Sequence, residues 1–162
     1  TLDVQMQVAL EQSLNEAKLE HKALSVSGII LNAKTGGIMA MTSLPSFNLN
    51  EVPRNDIKSL QEMSKNTTVV DVYEPGSTFK LITLAAALNE GKTTPEERFY
   101  CSGRCSVDGE TIKCWKTTGH GSLTLLEAFE KSCNCVFVNL ALRIGIDKYY
   151  EYLNLFGFKV GG

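Results

Sequence analysis

The first twenty residues carry apolar side chains with the period of an amphipathic helix. The apolar positions are Val4, Val8, Leu10, Leu14, Ala17 and Leu19. Charged residues occupy the opposite face. Two β-rich apolar runs follow, over residues 24–31 and 38–42, and the Gly-containing segment 32–37 separates them. This pattern predicts a helix over residues 4–20 and then a β-hairpin.

The middle of the chain lacks such regularity. Residues 43–73 hold Pro45, Pro53 and few periodic apolar positions, so we expect them to be mostly irregular. An apolar, Ala-rich segment then predicts a helix from about Ser77 to Asn89. We expect Gly91 to end this helix in a left-handed conformation.

The last third of the chain predicts short strands and then helices. Residues 93–121 contain four glycines and suggest loops with short strands. Thr124 and Glu127 have the spacing of a capping box, which predicts a helix through about residue 131. Further helices are expected at 135–143 and 147–156, the last capped by Asp147. The fold class is therefore α+β (mixed α/β).

Composition restricts the class of protein and its partners. The chain has 162 residues, of which 43% are hydrophobic and 21% charged, as in a globular domain with a real core. A net charge of −2 gives no reason to expect a nucleic acid partner. The sequence opens directly on the predicted helix, without a signal peptide, so we expect it to be a piece of a longer protein.

A serine precedes a lysine by three positions at the start of the Ala-rich helix. Residues 74–80 read Glu-Pro-Gly-Ser-Thr-Phe-Lys, which places Ser77 and Lys80 on one helix face. A serine becomes a nucleophile when a base such as a desolvated lysine takes its proton. The helix N-terminus favours a neutral Lys80 and an oxyanion near the Ser77 amide. The pattern indicates acyl transfer, although it also fits an ordinary helix start with an exposed lysine.

A second pair of candidate residues, Ser132 and Asn134, lies in the turn between two predicted helices. Such a turn can direct the hydroxyl and the amide to one side while Cys133 points elsewhere. The pair could then pass a proton to a leaving amine and hold the amide of a substrate. Ser and Asn also cap helices routinely. The same three-residue pattern occurs elsewhere, at residues 13–15, 46–48 and 64–66.

Taken together, these motifs resemble the transpeptidase domain of class B penicillin-binding proteins. The resemblance is carried by Glu-Pro-Gly-Ser-Thr-Phe-Lys at 74–80, Gly-His-Gly-Ser-Leu-Thr-Leu at 119–125 and Ser-Cys-Asn at 132–134. Residues 1–7 and the hairpin at 28–41 are similar to the start of that domain, so the resemblance covers essentially the whole chain. Cys-Trp-Lys at 114–116 and Ser-Cys-Asn at 132–134 most resemble the stage V sporulation protein D group.

The resemblance implies a penicillin-binding protein/serine β-lactamase-like fold. Residues 1–162 would form a partial transpeptidase domain, with the helical subdomain and the first strands of the antiparallel sheet. Ser77 would be the nucleophile and Lys80 its base, and Ser132 and Asn134 would assist. The implied substrates are D-Ala-D-Ala stem peptides of peptidoglycan, and β-lactam antibiotics would acylate the same serine. The implied location is the extracytoplasmic face of the cell membrane, among membrane partners in wall synthesis.

The third motif of the family, Lys-Thr-Gly or Lys-Ser-Gly on a later strand, is missing. Residues 34–36 read Lys-Thr-Gly, but they precede Ser77 and fall in the predicted hairpin turn. Residues 116–119 fail by spacing, and 28 residues follow Asn134. Since the loss of one oxyanion donor costs about 10²–10³ in rate, we expect this chain to be inactive alone.

Five cysteines fall within 35 residues, whereas the first 100 residues have none. The spacing of four of them suits one tetrahedral, structural zinc ion, namely Cys101, Cys105, Cys114 and Cys135. His120 is a reserve ligand. Cys133 is left out, because its neighbours Ser132 and Asn134 are expected to face the active site. Disulfide bonding and buried unligated thiols are the alternatives.

Two functions follow from these patterns. In the first, the chain belongs to a serine-type D,D-transpeptidase that needs no cofactor for catalysis. In the second, it is a non-catalytic scaffold of the wall-synthesis machinery that responds to metal or redox state. The two differ in whether Ser77 is acylated. A hydrolytic β-lactamase of the same superfamily is a weaker third interpretation. The sequences Pro-Gly-Ser-Thr-Phe-Lys and Gly-His-Gly, around Ser77 and His120, argue against it.

Overall fold

The computed structural model describes residues 2–158, which form two compact units, Thr1–Tyr73 and Glu74–Gly162. Thr1 and residues 159–162, which the predicted domain range includes, lie outside the described residues. Short antiparallel strands alternate with helices in both units, so the predicted mixed α/β class is confirmed. No helix among the described residues is long and apolar enough to cross a membrane.

The first unit is one long helix packed on a β-hairpin, followed by two short helices. Its elements are α1 (Val4–Glu20), β1 (Val26–Leu31), β2 (Ile38–Leu44), α2 (Ile57–Met63) and α3 (Thr67–Val70). The Gln7 side chain joins α1 to β2, because it donates to the Met41 carbonyl and accepts from the Met41 amide, both at 3.0 Å. Gly28 lies under Leu10 and Leu14 of α1, where a Cβ would be crowded. The predicted helix and hairpin are confirmed.

The prediction that residues 43–73 are mostly irregular was wrong at α2 and α3. Both helices begin at a side-chain cap rather than at an apolar period. The Asp56 carboxylate accepts from the Ser59 amide at 3.0 Å, and the Asn66 side chain accepts from the Thr68 amide at 3.2 Å. Both helices are short and contain no buried residue, and the apolar period of α2 is limited to Ile57, Leu60 and Met63.

The second unit is built around helices that enclose a small core. Its elements are a 3₁₀ turn (Gly76–Phe79), α4 (Lys80–Asn89), β3 (Arg98–Cys101), β4 (Arg104–Val107), β5 (Glu110–Lys113), β6 (Gly121–Thr124), α5 (Leu125–Glu130), α6 (Asn134–Ile144) and α7 (Ile146–Leu155). Strand β3 pairs with β6, and β4 pairs with β5. The largest fully buried side chains are Leu123, Leu125, Leu140, Val136, Cys101, Cys114 and Cys133. Cysteines therefore occupy the centre of this core.

The ends of these helices agree with the sequence signals except at α7. Gly91 has a φ of 60° after α4, and Thr124 and Glu127 form the predicted capping box, with both hydrogen bonds present. The cap of α7 is Gly145, not Asp147 as predicted. Asp147 lies in the first turn of α7, where its negative charge interacts favourably with the positive end of the helix dipole.

Two glycines allow the loops next to the core to approach each other closely. Gly103 and Gly119 both have positive φ, at 91° and 84°. A Cβ at Gly103 would collide with the backbone of Thr117, and one at Gly119 with the carbonyl of Cys101. The contact holds the end of β3 against the loop that precedes β6.

This packing predicts that Gly119→Ala destabilises the protein more than Gly109→Ala does. Gly109 also has a positive φ, at 87°, but nothing lies within 4 Å of the added Cβ. The control should lose about 1–2 kcal/mol through backbone strain alone. Gly119→Ala should lose about 1–3 kcal/mol more through the backbone collision, as measured by urea unfolding. Equal losses in the two variants would show that the close approach is unimportant.

Candidate active site

Ser77 is placed by the 3₁₀ turn that precedes α4. The turn comprises Gly76–Phe79, and Gly76 enters it with a φ of 58°. Lys80 is the first residue of α4. Because a 3₁₀ turn has three residues per turn, side chains at i and i+3 are eclipsed. Lys80 Nζ consequently lies 3.3 Å from the exposed Ser77 Oγ. The predicted proximity of the two side chains is present, although the turn is 3₁₀ rather than α-helical.

Lys80 Nζ also reaches the turn between α5 and α6. It lies 2.9 Å from Ser132 Oγ, 2.8 Å from the Ser132 carbonyl oxygen and 2.6 Å from Asn134 Oδ1. Four oxygens from two distant parts of the chain therefore surround one amine. The structure brings together all four predicted catalytic residues.

Burial lowers the pKa of Lys80 from the ordinary value of 10.5, because the half-buried amine loses part of its hydration. Any negative charge on Cys114 or Cys133 acts in the opposite direction and raises this pKa. The direction of the net shift favours the neutral amine, which is the form that can accept a proton.

The turn at Ser132 has an unusual backbone. Ser132 has a φ of 48°, and its amide donates to the Phe129 carbonyl while the Cys133 amide donates to the Ala128 carbonyl, at 3.0 and 2.9 Å. These two hydrogen bonds define a Schellman motif that ends α5, with Ser132 at the left-handed position where glycine is usual. A serine there is strained by about 1–2 kcal/mol.

Neighbouring backbone groups fix the orientation of this turn. Asn134 Nδ2 donates to the Lys113 carbonyl at 3.0 Å, which leaves its Oδ1 directed at Lys80. The Trp115 indole donates to the Lys131 carbonyl at 2.8 Å. The end of β5 and the residues after it therefore hold both sides of Ser132. The sequence analysis used Trp115 only as part of the Cys-Trp-Lys resemblance and did not predict this contact with Lys131.

The strain predicts that Ser132→Gly is more stable than Ser132→Ala by about 1 kcal/mol. Both variants lose the hydroxyl and its hydrogen bond with Lys80, but only glycine relieves the left-handed strain. Thermal unfolding of the two variants under identical conditions measures the difference. If alanine were as stable as glycine, the backbone at Ser132 would not be strained.

A group of potential metal ligands lies behind the same turn. Within the described residues, Cys101, Cys114, His120 and Cys133 place one ligand atom each within 4.8 Å of one another. The three cysteines are buried. Burial raises the pKa of Cys133, whereas hydrogen bonds with His120 and Gly103 outweigh the effect of burial and lower the pKa of Cys101.

This group differs from the set predicted from the sequence. Cys101 and Cys114 belong to both, but the structure adds Cys133 and the reserve ligand His120. The Sγ atom of Cys133 lies 4.0 Å from Cys114 Sγ, within the cluster, although its neighbours Ser132 and Asn134 contact Lys80. The reason for leaving Cys133 out of the ligand set therefore does not hold.

The two remaining predicted ligands lie outside this group. Cys105 and Cys135 line a cavity of about 360 Å³ whose walls include neither Cys114 nor His120. Cys135 lies in α6, where its thiol interacts with those of Cys105 and Cys101. For Cys105 the cause is the strand register. Cys101 pairs with Gly121, which brings it next to His120, whereas Cys105 pairs with Ile112 in the other two-stranded sheet.

The two sequences that imitate the third motif lie in loops. Residues 34–36 belong to the turn between β1 and β2, and residues 116–119 belong to the loop before β6. Neither lies on a strand, in agreement with their rejection from the sequence.

Comparisons with known proteins agree with these motifs. A family model described as the penicillin binding protein transpeptidase domain matches residues 26–161. Stage V sporulation protein D of Bacillus subtilis is 39% identical over 159 residues, which cover 98% of this chain and 24% of that protein. A probable peptidoglycan D,D-transpeptidase of Pseudomonas aeruginosa is 31% identical, over 98% of this chain and 27% of its own length.

A solved structure shows the same fold. Penicillin binding protein 3 of Mycobacterium tuberculosis matches with a TM-score of 0.86 and 31% identity, over 97% of this chain and 34% of that chain. The chain spans about a quarter of the length of the curated relatives it matches. It belongs to the family of penicillin-binding protein transpeptidase domains.

Proposed function

We propose that this chain supplies the nucleophile and the proton-transfer groups of a serine-type peptidoglycan D,D-transpeptidase. The observation that carries the proposal is the position of Lys80 Nζ, 3.3 Å from Ser77 Oγ and 2.9 Å from Ser132 Oγ. One amine between two hydroxyls can take a proton from the first and return it through the second.

The proposed reaction begins with neutral Lys80. Its two N–H groups donate to the Ser132 carbonyl and to Asn134 Oδ1, so its lone pair faces the hydroxyls. Ser77 Oγ attacks the carbonyl carbon of the D-Ala-D-Ala bond and gives its proton to Lys80. The C–N bond then breaks, the leaving D-Ala amine takes a proton through Ser132 Oγ, and an acyl-enzyme remains. An amine on a neighbouring peptidoglycan chain then attacks this ester. Its proton passes through Ser132 Oγ to Lys80, and Lys80 returns a proton to Ser77 Oγ as the ester bond breaks.

We also propose where the third motif lies and where the full-length protein acts. The third motif would come from a segment that follows the present sequence in the full-length protein, and the 162-residue chain alone would be inactive. The protein would act at the extracytoplasmic face of the membrane with wall-synthesis partners. It would act in cell-wall or spore-cortex synthesis, and one of its relatives is stage V sporulation protein D.

The chemistry proposed here uses side chains alone and needs no cofactor. A zinc ion would therefore be structural, and the cysteine cluster supports it. The same cluster is the observation that favours the second candidate function, a non-catalytic scaffold that responds to metal or redox state. The two candidates separate on one measurement, the acylation of Ser77 in the full-length protein.

We expect the full-length protein to form a covalent adduct with a fluorescent penicillin, visible in a denaturing gel. Ser77→Ala should abolish the adduct because it removes the attacking oxygen. Ser13→Ala, on an exposed face of α1, is the matched control and should label normally. No adduct in the wild-type protein would favour the scaffold function, and an adduct that persists in Ser77→Ala would assign the nucleophile elsewhere.

The lowered pKa of Lys80 predicts the pH dependence of acylation. The neutral amine is the base, so the second-order rate constant should rise with pH through a midpoint below the ordinary value of 10.5. Lys80→Arg stays protonated and should lose about 10²–10⁴ in rate at neutral pH. Lys18→Arg, in the last turn of α1, is the control. A flat profile for the wild type between pH 6 and about 10 would exclude Lys80 as the titrating base.

A further inference from the structure

We propose that a zinc-class metal ion binds at a tetrahedral site formed by Cys101, Cys114, His120 and Cys133. We propose further that this site holds in place the catalytic turn, residues 132–134. The first part concerns the cluster alone. The second part rests on the proposed acyl-transfer function. Cys105 and Cys135, which the sequence spacing favoured, lie outside the site.

Two of the distances between the ligand atoms are close to those of a tetrahedral centre. With zinc–sulfur bonds of about 2.3 Å and zinc–nitrogen bonds of about 2.05 Å, two sulfurs lie about 3.8 Å apart and a sulfur and a nitrogen about 3.6 Å apart. Cys114 Sγ lies 4.0 Å from Cys133 Sγ and 3.6 Å from His120 Nδ1. All four ligand atoms lie within 4.8 Å of one another.

The ligands come from four elements that converge on one point. Cys101 ends β3, Cys114 follows β5, His120 precedes β6 and Cys133 precedes α6. Three buried thiols and one imidazole are soft and borderline ligands, which select zinc over magnesium or calcium. A disulfide would use two of the thiols and would leave the third thiol and the imidazole unexplained.

His120 is the nitrogen ligand of the proposed site. Its Nδ1 atom lies 3.6 Å from Cys114 Sγ, and its side chain also hydrogen-bonds the Cys101 thiol. Its ring contacts Trp115 edge-to-face, with the two centroids 5.3 Å apart. A metal bound at Nδ1 would leave the buried Nε2 atom, which has no hydrogen-bond partner among the described residues, still without one.

The position of Cys133 connects this site to the catalytic residues. Cys133 lies between Ser132 and Asn134 and immediately precedes α6. Its Sγ faces the cluster, while its two neighbours contact Lys80. A metal bond at Cys133 Sγ would therefore fix the strained turn at Ser132 from the side opposite to Lys80. Since small displacements of catalytic groups cost large factors in rate, occupancy of the site should control acylation.

Metal analysis of the full-length protein, purified without chelator, tests the site. We expect about one zinc per chain, and Co²⁺ substitution should give thiolate-to-cobalt charge transfer and tetrahedral d–d bands. His120→Gln and Cys101→Ser should lower zinc affinity by at least about ten-fold, whereas Cys105→Ser, the matched control, should not. Cys114→His, which keeps a ligand at that position, should retain metal if Cys114→Ser fails to fold.

Absence of metal in the wild type would overturn the site. So would loss of metal in Cys105→Ser with full retention in His120→Gln, because that result would favour the set read from the sequence. A disulfide among Cys101, Cys114 and Cys133 in the purified protein, found by mass spectrometry without reduction, would overturn it as well.

The rate of acylation by a fluorescent penicillin tests the second part. Chelation should slow acylation of the folded protein by at least about ten-fold, and added zinc should restore the rate. An unchanged rate after verified metal removal would overturn the positioning role and leave the site standing. Bound zinc with no adduct in the wild type would overturn the transpeptidase function but not the metal site. A wild-type protein that is purified without zinc and is still acylated would overturn the metal site but not the transpeptidase function.

Discussion

The contact of Lys80 with the turn at Ser132 and Asn134 is the interaction on which the active site depends. It joins residues more than fifty positions apart, and it places an amine among four oxygens in a half-buried position. An amine taken from water needs such partners, because an unsatisfied one would cost several kcal/mol. The contact therefore orients the proposed catalytic groups and at the same time connects α4 to α6.

The turn itself combines a left-handed residue with an extended one. Ser132 is left-handed and Cys133 is extended, with a φ of −71° and a ψ of 110°. The Ser132 hydroxyl and the Asn134 amide contact Lys80, whereas the Cys133 thiol lies beside Cys114. A serine at the glycine position of a Schellman motif strains the backbone, but it also provides a hydroxyl that glycine lacks.

The sequence predicted the parts of this structure that depend on local chemistry. The helix α1, the hairpin, the capping box at Thr124 and the Ser77–Lys80 pair all rest on residues within a few positions of each other. Helices α2 and α3 were missed because, with seven and four residues, they are too short to show a sustained apolar period. The ligand cluster was only half predicted, because it depends on the pairing of Cys101 with Gly121 and on the close approach at Gly103 and Gly119. Spacing along the chain does not encode these contacts.

The composition of the core gives a physical reason for a structural centre in this unit. Its strands have four residues each and form two separate two-stranded sheets, which are marginal structures in water. Cysteine is a small side chain, so a core centred on three of them buries less apolar area than leucine would. An additional constraint would stabilise such a core. A metal ion bound by β3, β5, the loop before β6 and the start of α6 would supply that constraint at the place where the catalytic turn is strained.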